Sequence, residues 1–128
     1  MTERRKGLRA LVVEDDGLIL RLVKKVLERE NFVVEGVKNG AEAIDLLDSV
    51  AYDLLIVDLL LPKVSGAQVI DFLEVRRPEY LRRVIVTTAS PTIQSCEFLE
   101  KICRLLIKPF DIDQLILYAR ECAKTDAA

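Results

Sequence analysis

Four short, strictly apolar runs punctuate the chain, and each is followed directly by polar residues. The runs cover residues 11–13, 54–57, 84–86 and 105–107. Uninterrupted apolar runs of this length predict strands that are buried on both faces, as in a parallel sheet. Residues 32–37 are a weaker candidate for one more strand.

Helical patterns fill the gaps between these runs. Apolar residues recur from Ile19 to Leu27 with the spacing of a helix that packs on a sheet. Capping boxes at 39–42, 65–68 and 111–114, and a serine–proline pair at 90–91, predict four further helix starts. Five βα units wound by right-handed crossovers give a doubly wound, three-layer α/β sandwich with a five-stranded parallel sheet.

Length and composition predict one small domain that spans residues 1–128, with a basic tail at 1–7 and a frayed end at 125–128. The chain is 51% hydrophobic and 31% charged, which is typical of a globular protein. The longest apolar run is too short to span a membrane. A formal net charge of −2 gives no electrostatic reason to expect direct nucleic-acid binding.

The cysteine and histidine content limits the kinds of catalytic and metal site that this chain can contain. Cys96, Cys103 and Cys122 are odd in number and lack CxxC spacing, and the N-terminus has no apolar stretch typical of a signal peptide. We therefore expect a cytoplasmic protein, with Cys96 and Cys103 as small core residues at helical spacing from Leu99. The absence of histidine excludes Ser-His or Cys-His nucleophile pairs, a histidine-ligated zinc site and a phosphohistidine on this chain.

Polar side chains follow four of the predicted strands: Glu14 and Asp15, then Asp58, then Thr88, then Lys108. The carboxyl ends of parallel strands meet at one edge of the sheet, where open α/β folds bind ligands. Carboxylates about 5 Å apart at an effective dielectric near 20 repel by roughly 3 kcal/mol per pair. Lys108 offsets one charge, and the remaining acidic excess suits Mg²⁺, which prefers oxygen ligands.

An aspartate that faces a lysine, a hydroxyl and a divalent cation can attack phosphorus and form an acyl phosphate. Asp58 is the candidate nucleophile, and Lys108 and Thr88 would each bind a phosphoryl oxygen. Taken singly, these residues have simpler interpretations: a strand-end aspartate often caps a helix, the lysine could be a surface charge, and threonine favours strands. The combination on separate strand ends favours the phosphoryl chemistry.

The same edge offers a ligand set for the metal. Asp15 and Asp58 would ligate Mg²⁺ directly, Glu14 through water, and the backbone carbonyl of Leu60 would complete the protein ligands.

With these motifs the chain resembles the receiver domains of two-component response regulators. The matching segments are 12–16, 56–58 with Pro62 and Gly66, 86–89 and 107–110. The resemblance implies a flavodoxin-like fold and transfer of a phosphoryl group to Asp58 from a sensor kinase or a histidine phosphotransfer protein. It also implies that Mg²⁺ supports both this transfer and self-catalysed hydrolysis, so that the protein is no enzyme toward other substrates, and that the Lys108–Pro109 peptide is cis.

Two features depart from the family pattern. Receivers usually carry tyrosine or phenylalanine at the place of Leu105, where the ring moves together with the threonine that corresponds to Thr88. Residues 102–104 replace the usual Gly-Ala before the last strand, and the short connection from Thr88 to Lys108 predicts a truncated or irregular fourth helix. The resemblance also allows a homodimer through the last two helices, with Leu105 as a weakened switch.

Two alternative functions remain open. A pseudo-receiver, which binds partners without being phosphorylated, is compatible with Leu105 but not favoured by the intact acidic set. A phosphohydrolase of the haloacid dehalogenase type also uses a strand-end aspartate, Mg²⁺ and a lysine. That type needs a second acid two residues after the nucleophile, and this chain has Leu60 there.

Overall fold

The computed structural model describes residues 7–61, 64–89 and 97–123, which form a single α/β unit. Its strands are β1 (Arg9–Val13), β2 (Val33–Val37), β3 (Leu54–Asp58), β4 (Val84–Thr88) and β5 (Arg104–Ile107). Its α-helices are α1 (Gly17–Arg29), α2 (Gly40–Ser49), α3 (Gly66–Arg76) and α4 (Ile112–Cys122). Two 3₁₀ segments, Pro78–Arg83 and Glu97–Glu100, precede β4 and β5.

The five strands form one parallel sheet in the order β2-β1-β3-β4-β5. The chain starts near the middle of the sheet, moves outward to β2, crosses back to β3 and then moves outward to β5. This order confirms the predicted doubly wound, flavodoxin-like class. The reversal between β1 and β3 creates a crevice beyond their carboxyl ends.

Two apolar cores, one on each face of the sheet, hold the layers together. Helices α2 and α3 contribute buried side chains such as Leu47 and Leu73 to one core. Helices α1 and α4 contribute Leu27 and Leu115 to the other. Because every residue of β3 and β4 is buried, these two strands are covered on both faces, as their apolar runs predicted.

Most helix boundaries agree with the sequence signals. Ser65 and Gln68 form the predicted capping box at the start of α3, and α3 ends at Arg76 because Pro78 disfavours a helical conformation at Arg77. Asn39 caps α2 by accepting the Glu42 N–H. Asp111 caps α4, although it accepts from Asp113 rather than from Gln114.

The connection between β4 and β5 is described only in part. Residues 97–100 form a 3₁₀ segment, in agreement with the predicted irregular fourth helix. The predicted helix start at Ser90, together with Cys96, lies outside the described residues, as do Pro62, most of the basic tail and the predicted frayed end. No helix in the described ranges is long and apolar enough to cross a membrane.

The side chain of Cys103 packs against the core that α1 and α4 share, as predicted, but its predicted helical position is wrong. The residue does not lie on a helix, because its N–H bonds to the Val84 carbonyl (2.9 Å) and so leads the chain into β5. Its sulfur is bonded to that of Cys122 at the end of α4. A pairing between the start of a strand and the end of the following helix leaves no spacing signature of the CxxC kind.

Candidate functional site

Three carboxylates meet at the carboxyl edge of the central strands. Glu14 directly follows β1, Asp58 ends β3, and these strands are neighbours in the sheet. Glu14, Asp15 and Asp58 each offer an oxygen within 4.8 Å of the other two. Glu14 and Asp58 are both buried, at 4% exposure, whereas Asp15 is exposed. The predicted convergence of these acids is therefore confirmed.

Lys108 links two of the acids. Its Nζ lies 2.8 Å from Glu14 Oε1 and 3.0 Å from Asp58 Oδ2. The Lys108 N–H donates to the Thr88 carbonyl (2.8 Å), which fixes the residue beside the end of β4. The peptide from Lys108 to Pro109 is cis, as the resemblance implied. One ammonium thus contacts two buried carboxylates.

Burial and charge shift the pKa values of this group. Desolvation raises the pKa of Glu14, and the nearby Asp58 adds to this, while the Lys108 ammonium and the Asp16 N–H act in the opposite direction. Desolvation alone would lower the pKa of Lys108, but its hydrogen bonds and charge interactions with Glu14 and Asp58 raise it overall. The lysine therefore stays charged at neutral pH.

Replacing Asp58 with asparagine should raise the melting temperature when a chelator is present. The change removes repulsion of at most about 3 kcal/mol per acidic pair and part of the attraction to Lys108, so we expect a net gain of about 1 kcal/mol. Millimolar Mg²⁺ should stabilise the wild type more than this variant. Thermal melts with and without Mg²⁺ measure both effects, and equal metal responses would mean that Asp58 does not contribute to metal binding.

The backbone around Asp58 is held closely. The Leu60 N–H donates to Asp58 Oδ1 (3.2 Å), and the Leu59 N–H donates to the Thr87 carbonyl (3.0 Å). Gly66 packs directly behind this turn, and a Cβ atom there would lie 2.3 Å from the Asp58 carbonyl oxygen. Only glycine fits without a backbone shift. The backbone at Asp58 is therefore fixed in place, and the Leu60 N–H orients the carboxylate itself.

Asp16 has a role that the sequence motif did not reveal. Its N–H donates to Glu14 Oε2 (3.1 Å), while its own side chain accepts from Leu18 and Ile19 and caps α1. The first residues of α1 and the Glu14 carboxylate are thus fixed together. An aspartate between a strand and a helix is a sequence signal for a helix cap. The hydrogen bond from the Asp16 N–H to Glu14 could be identified only in the structure.

Two adjacent threonines end β4. Thr88, the predicted phosphoryl ligand, is buried at 1% exposure, and its carbonyl holds Lys108. Thr87 pairs in register with Asp58 in the neighbouring strand. The hydroxyl of Thr87 is the only buried side-chain N or O atom without a hydrogen-bond partner among the described residues.

The donor set fits a hard divalent cation. Three carboxylate oxygens that can approach one another, with two acids already buried, form the oxygen-rich, negatively charged environment that Mg²⁺ requires. Lys108 contacts both Glu14 and Asp58, so these contacts do not distinguish a direct from an indirect ligand, and the indirect role of Glu14 stays a prediction. The backbone carbonyl of Leu60 stays a predicted ligand.

An apolar depression of about 350 Å³ lies beside Lys108. It joins the exposed side of α1 to the segments that follow β4 and β5, and its lining residues are Ile19, Leu22, Ala89, Lys108, Pro109 and Phe110. Leu18 and Leu60 are also largely exposed, at 73% and 67%. The acidic site is therefore bordered by accessible apolar surface.

Leu105 and Phe98 pack against the core on the α2–α3 face, whereas Tyr118 packs against the opposite core. All three lie near the edge strand β5. The guanidinium group of Arg104, the first residue of β5, lies over the Tyr118 ring, 5.0 Å from the ring centroid. The structure thus brings the predicted switch position Leu105 to the sheet edge, in register with Val86.

Sequence comparison identifies a family for most of the chain. The family model described as the response regulator receiver domain matches residues 10–120. The response regulator ArlR of Staphylococcus aureus is 31% identical over 111 residues, which are 86% of this chain and 50% of that protein. The chain thus spans about half the length of the curated relatives it matches.

Solved structures show the same similarity. The response regulator TrrA from Thermotoga maritima, crystallised in complex with Mg²⁺-BeF, has a TM-score of 0.81 and 28% identity, covering 90% of this chain and 98% of that one. The receiver domain of the Francisella response regulator 1452 has a TM-score of 0.77 and 27% identity, covering 89% and 94%.

Proposed function

Because this chain belongs to the response regulator receiver domain family, we propose that it accepts a phosphoryl group on Asp58 and thereby changes its interactions with partners. The observation that carries this assignment is the position of Lys108, whose ammonium contacts both Asp58 and Glu14 at a strand-end acidic cluster. This arrangement resembles a phosphoryl-acceptor site more than a set of independent helix caps, because Asp58 itself caps none of the described helices.

The proposed reaction is a direct transfer to a carboxylate. An Asp58 oxygen attacks phosphorus, an oxygen–phosphorus bond forms, and the bond from phosphorus to the donor nitrogen breaks. Hydrogen bonding from the Leu60 N–H to Oδ1 and from Lys108 to Oδ2 holds the carboxylate in one orientation. The Lys108 ammonium and the Thr88 hydroxyl would then bind phosphoryl oxygens of the product.

Glu14, Asp15 and Asp58, with the Leu60 carbonyl, would hold Mg²⁺, with Glu14 acting through water. The metal would supply positive charge against the phosphoryl oxygens at the acceptor. Lys108 supplies the other positive charge. Removing either Mg²⁺ or the Lys108 ammonium should therefore weaken phosphoryl transfer to Asp58.

The phosphoryl donor is a sensor histidine kinase or a histidine phosphotransfer protein. These 128 residues contain no histidine, so the phosphohistidine lies outside them. The apolar depression at Ile19, Leu22 and Phe110 lies next to Lys108 and supports docking of such a donor beside Asp58. Direct nucleic-acid binding is not proposed, because the chain has a net charge of −2.

The receiver domain would catalyse only its own phosphorylation and dephosphorylation, in the cytoplasm. A pseudo-receiver is disfavoured because Glu14, Asp15 and Asp58 are all present and assembled. A haloacid dehalogenase-type phosphohydrolase is disfavoured because Leu60 stands where its second acid is needed.

The wild-type chain should gain one phosphoryl group from acetyl phosphate when Mg²⁺ is present. Intact-mass spectrometry with matched samples in chelator measures this uptake. Equal uptake in chelator would contradict the proposed site.

Beryllofluoride, which mimics a phosphoryl group on aspartate, should perturb amides around Asp58 and Thr88 strongly, but those around Leu105, Phe98 and Tyr118 only weakly. Leu105 has no ring that could exchange between buried and exposed positions, so the two states differ little at β5. Amide chemical shifts with and without beryllofluoride test this. Large shifts at this edge, or dimerisation through the last two helices on phosphorylation, would show that Leu105 does not uncouple the switch.

A further inference from the structure

The chain contains a covalent link that phosphoryl transfer does not require. Cys103 and Cys122 form a disulfide; their Cα atoms are 5.8 Å apart, and the two residues are 19 positions apart in sequence. We propose that this pair is a reversible thiol–disulfide site, which reacts with small disulfides such as glutathione disulfide. Its oxidation state fixes or releases the end of α4 on β5.

The fold itself brings the two thiols together. The Cys103 N–H bonds to the Val84 carbonyl (2.9 Å), which fixes the residue at the start of β5. Cys122 is the last residue of α4 and is 3% exposed, within the core that α4 shares with α1. A Cα separation of 5.8 Å is within the range that a disulfide can bridge without backbone movement. The reduced chain therefore keeps both thiols within bonding reach.

This fold does not need a permanent disulfide for its stability. The sheet is covered by apolar cores on both faces, and a domain of 128 residues buries enough surface to fold without a cross-link. In the cytoplasm, where we propose that this chain works, disulfides are usually transient or redox-sensing. These two points favour a reversible site over a structural bridge.

Exposure sets the order of the exchange reaction. Half-buried Cys103 is accessible to a small disulfide, and buried Cys122 is accessible mainly to Cys103. The Cys103 thiolate attacks glutathione disulfide, forming a mixed disulfide and releasing one glutathione. The Cys122 thiolate then attacks the Cys103 sulfur and releases the second glutathione. The two cysteines lose two electrons and two protons, and two molecules of reduced glutathione carry them away.

The bond acts on α4 rather than on the acidic site. Without it, the end of α4 is held by its core contacts and by the exposed ion pairs Arg104–Glu121 and Arg120–Glu30. Exposed ion pairs contribute little. Cys103 precedes β5 and Lys108 follows it, so the disulfide and the Asp58 contact lie at opposite ends of this strand. Reduction should therefore loosen the end of α4 and leave the phosphoryl site assembled.

The covalent test uses the full chain, incubated with either glutathione disulfide or dithiothreitol and then alkylated. Trypsin should release residues 102–104 and 121–124 as one linked species from the oxidised sample and as two alkylated peptides from the reduced one. Oxidised protein should keep a single alkylatable thiol, that of Cys96. Glutathione adducts that do not resolve, or a bond that involves Cys96, would overturn the proposal.

The second measurement is thermal stability. Reduction should lower the melting temperature of the wild type by about 10 °C, because the bond closes a loop of roughly 20 residues. Cys103→Ala, at the half-buried position, should remove this response, and Cys122→Ala provides a second test. Cys96→Ser should keep it. A response that persists in Cys103→Ala would overturn the proposal.

A third measurement separates this inference from the phosphoryl function. Uptake of phosphoryl from acetyl phosphate should be the same in oxidised and reduced chains. Loss of uptake in both forms would count against the acceptor site alone, whereas uptake that depends on the oxidation state would contradict the proposed separation of the two sites.

Discussion

Replacing Asp58 with asparagine should abolish the uptake of a phosphoryl group from acetyl phosphate or phosphoramidate. An amide oxygen is a poor nucleophile, and the change removes one of the two charges that Lys108 contacts. Intact-mass spectrometry of the variant with Mg²⁺ should show unmodified protein only. Beryllofluoride should bind the wild type and not this variant.

The matched control is Asp71→Asn, the same chemical change at an exposed position on α3. It should be phosphorylated like the wild type. Modification that survives in Asp58→Asn, or that is lost equally in both variants, would mean that Asp58 is not the acceptor.

Replacing Lys108 with methionine should destabilise the metal-free chain by about 3 kcal/mol and lower its melting temperature by about 10 °C. The reason is that Glu14 and Asp58, both buried, would lose the ammonium they share. The raised pKa of Lys108 means that its contribution is fully present below its ordinary value of 10.5 and is lost only as the pH rises above it. The stabilisation that Lys108 provides should therefore not decrease as the pH is raised to about 9.

Lys101→Met is the control for Lys108→Met, because Lys101 pairs with Glu74 on the surface, where an ion pair contributes less than about 1 kcal/mol. Combining Lys108→Met with Asp58→Asn should restore part of the lost stability, and Mg²⁺ should do the same for Lys108→Met alone. Equal melting temperatures for the two lysine variants would show that the Lys108 contacts do not stabilise the fold.

Much of this site could be predicted from the sequence because parallel strands have a fixed direction. Once the apolar runs are interpreted as strands, the residues that follow them must meet at one edge, and Glu14, Asp58 and Lys108 do so. For a given strand order, the right-handedness of the crossovers then determines which face of the sheet each helix covers.

Contacts between side chains from distant segments could not be predicted in the same way. The sequence offered Lys108 as a phosphoryl ligand, but its simultaneous contact with Glu14 depends on side-chain conformations. The requirement for Gly66 comes from its close approach to the Asp58 carbonyl.

The disulfide shows a second limit. Cys103 shares helical spacing with Leu99, and periodicity alone favoured a continuing helix. In the structure, the Cys103 N–H instead bonds to the Val84 carbonyl, and the Cys103 sulfur is bonded to that of Cys122. Local pattern could not reveal this, because the partners come from two different elements.

The most direct test of the account is to locate the phosphoryl group on the modified wild-type chain. Borohydride reduces an acyl phosphate to an alcohol, which would convert the phosphorylated aspartate into homoserine, and fragmentation of the tryptic peptide 39–63 would then identify the position. This peptide also contains Asp45, Asp48 and Asp53, which serve as internal controls. The account predicts homoserine at position 58 alone, and homoserine at any other aspartate, with Asp58 unchanged, would contradict it.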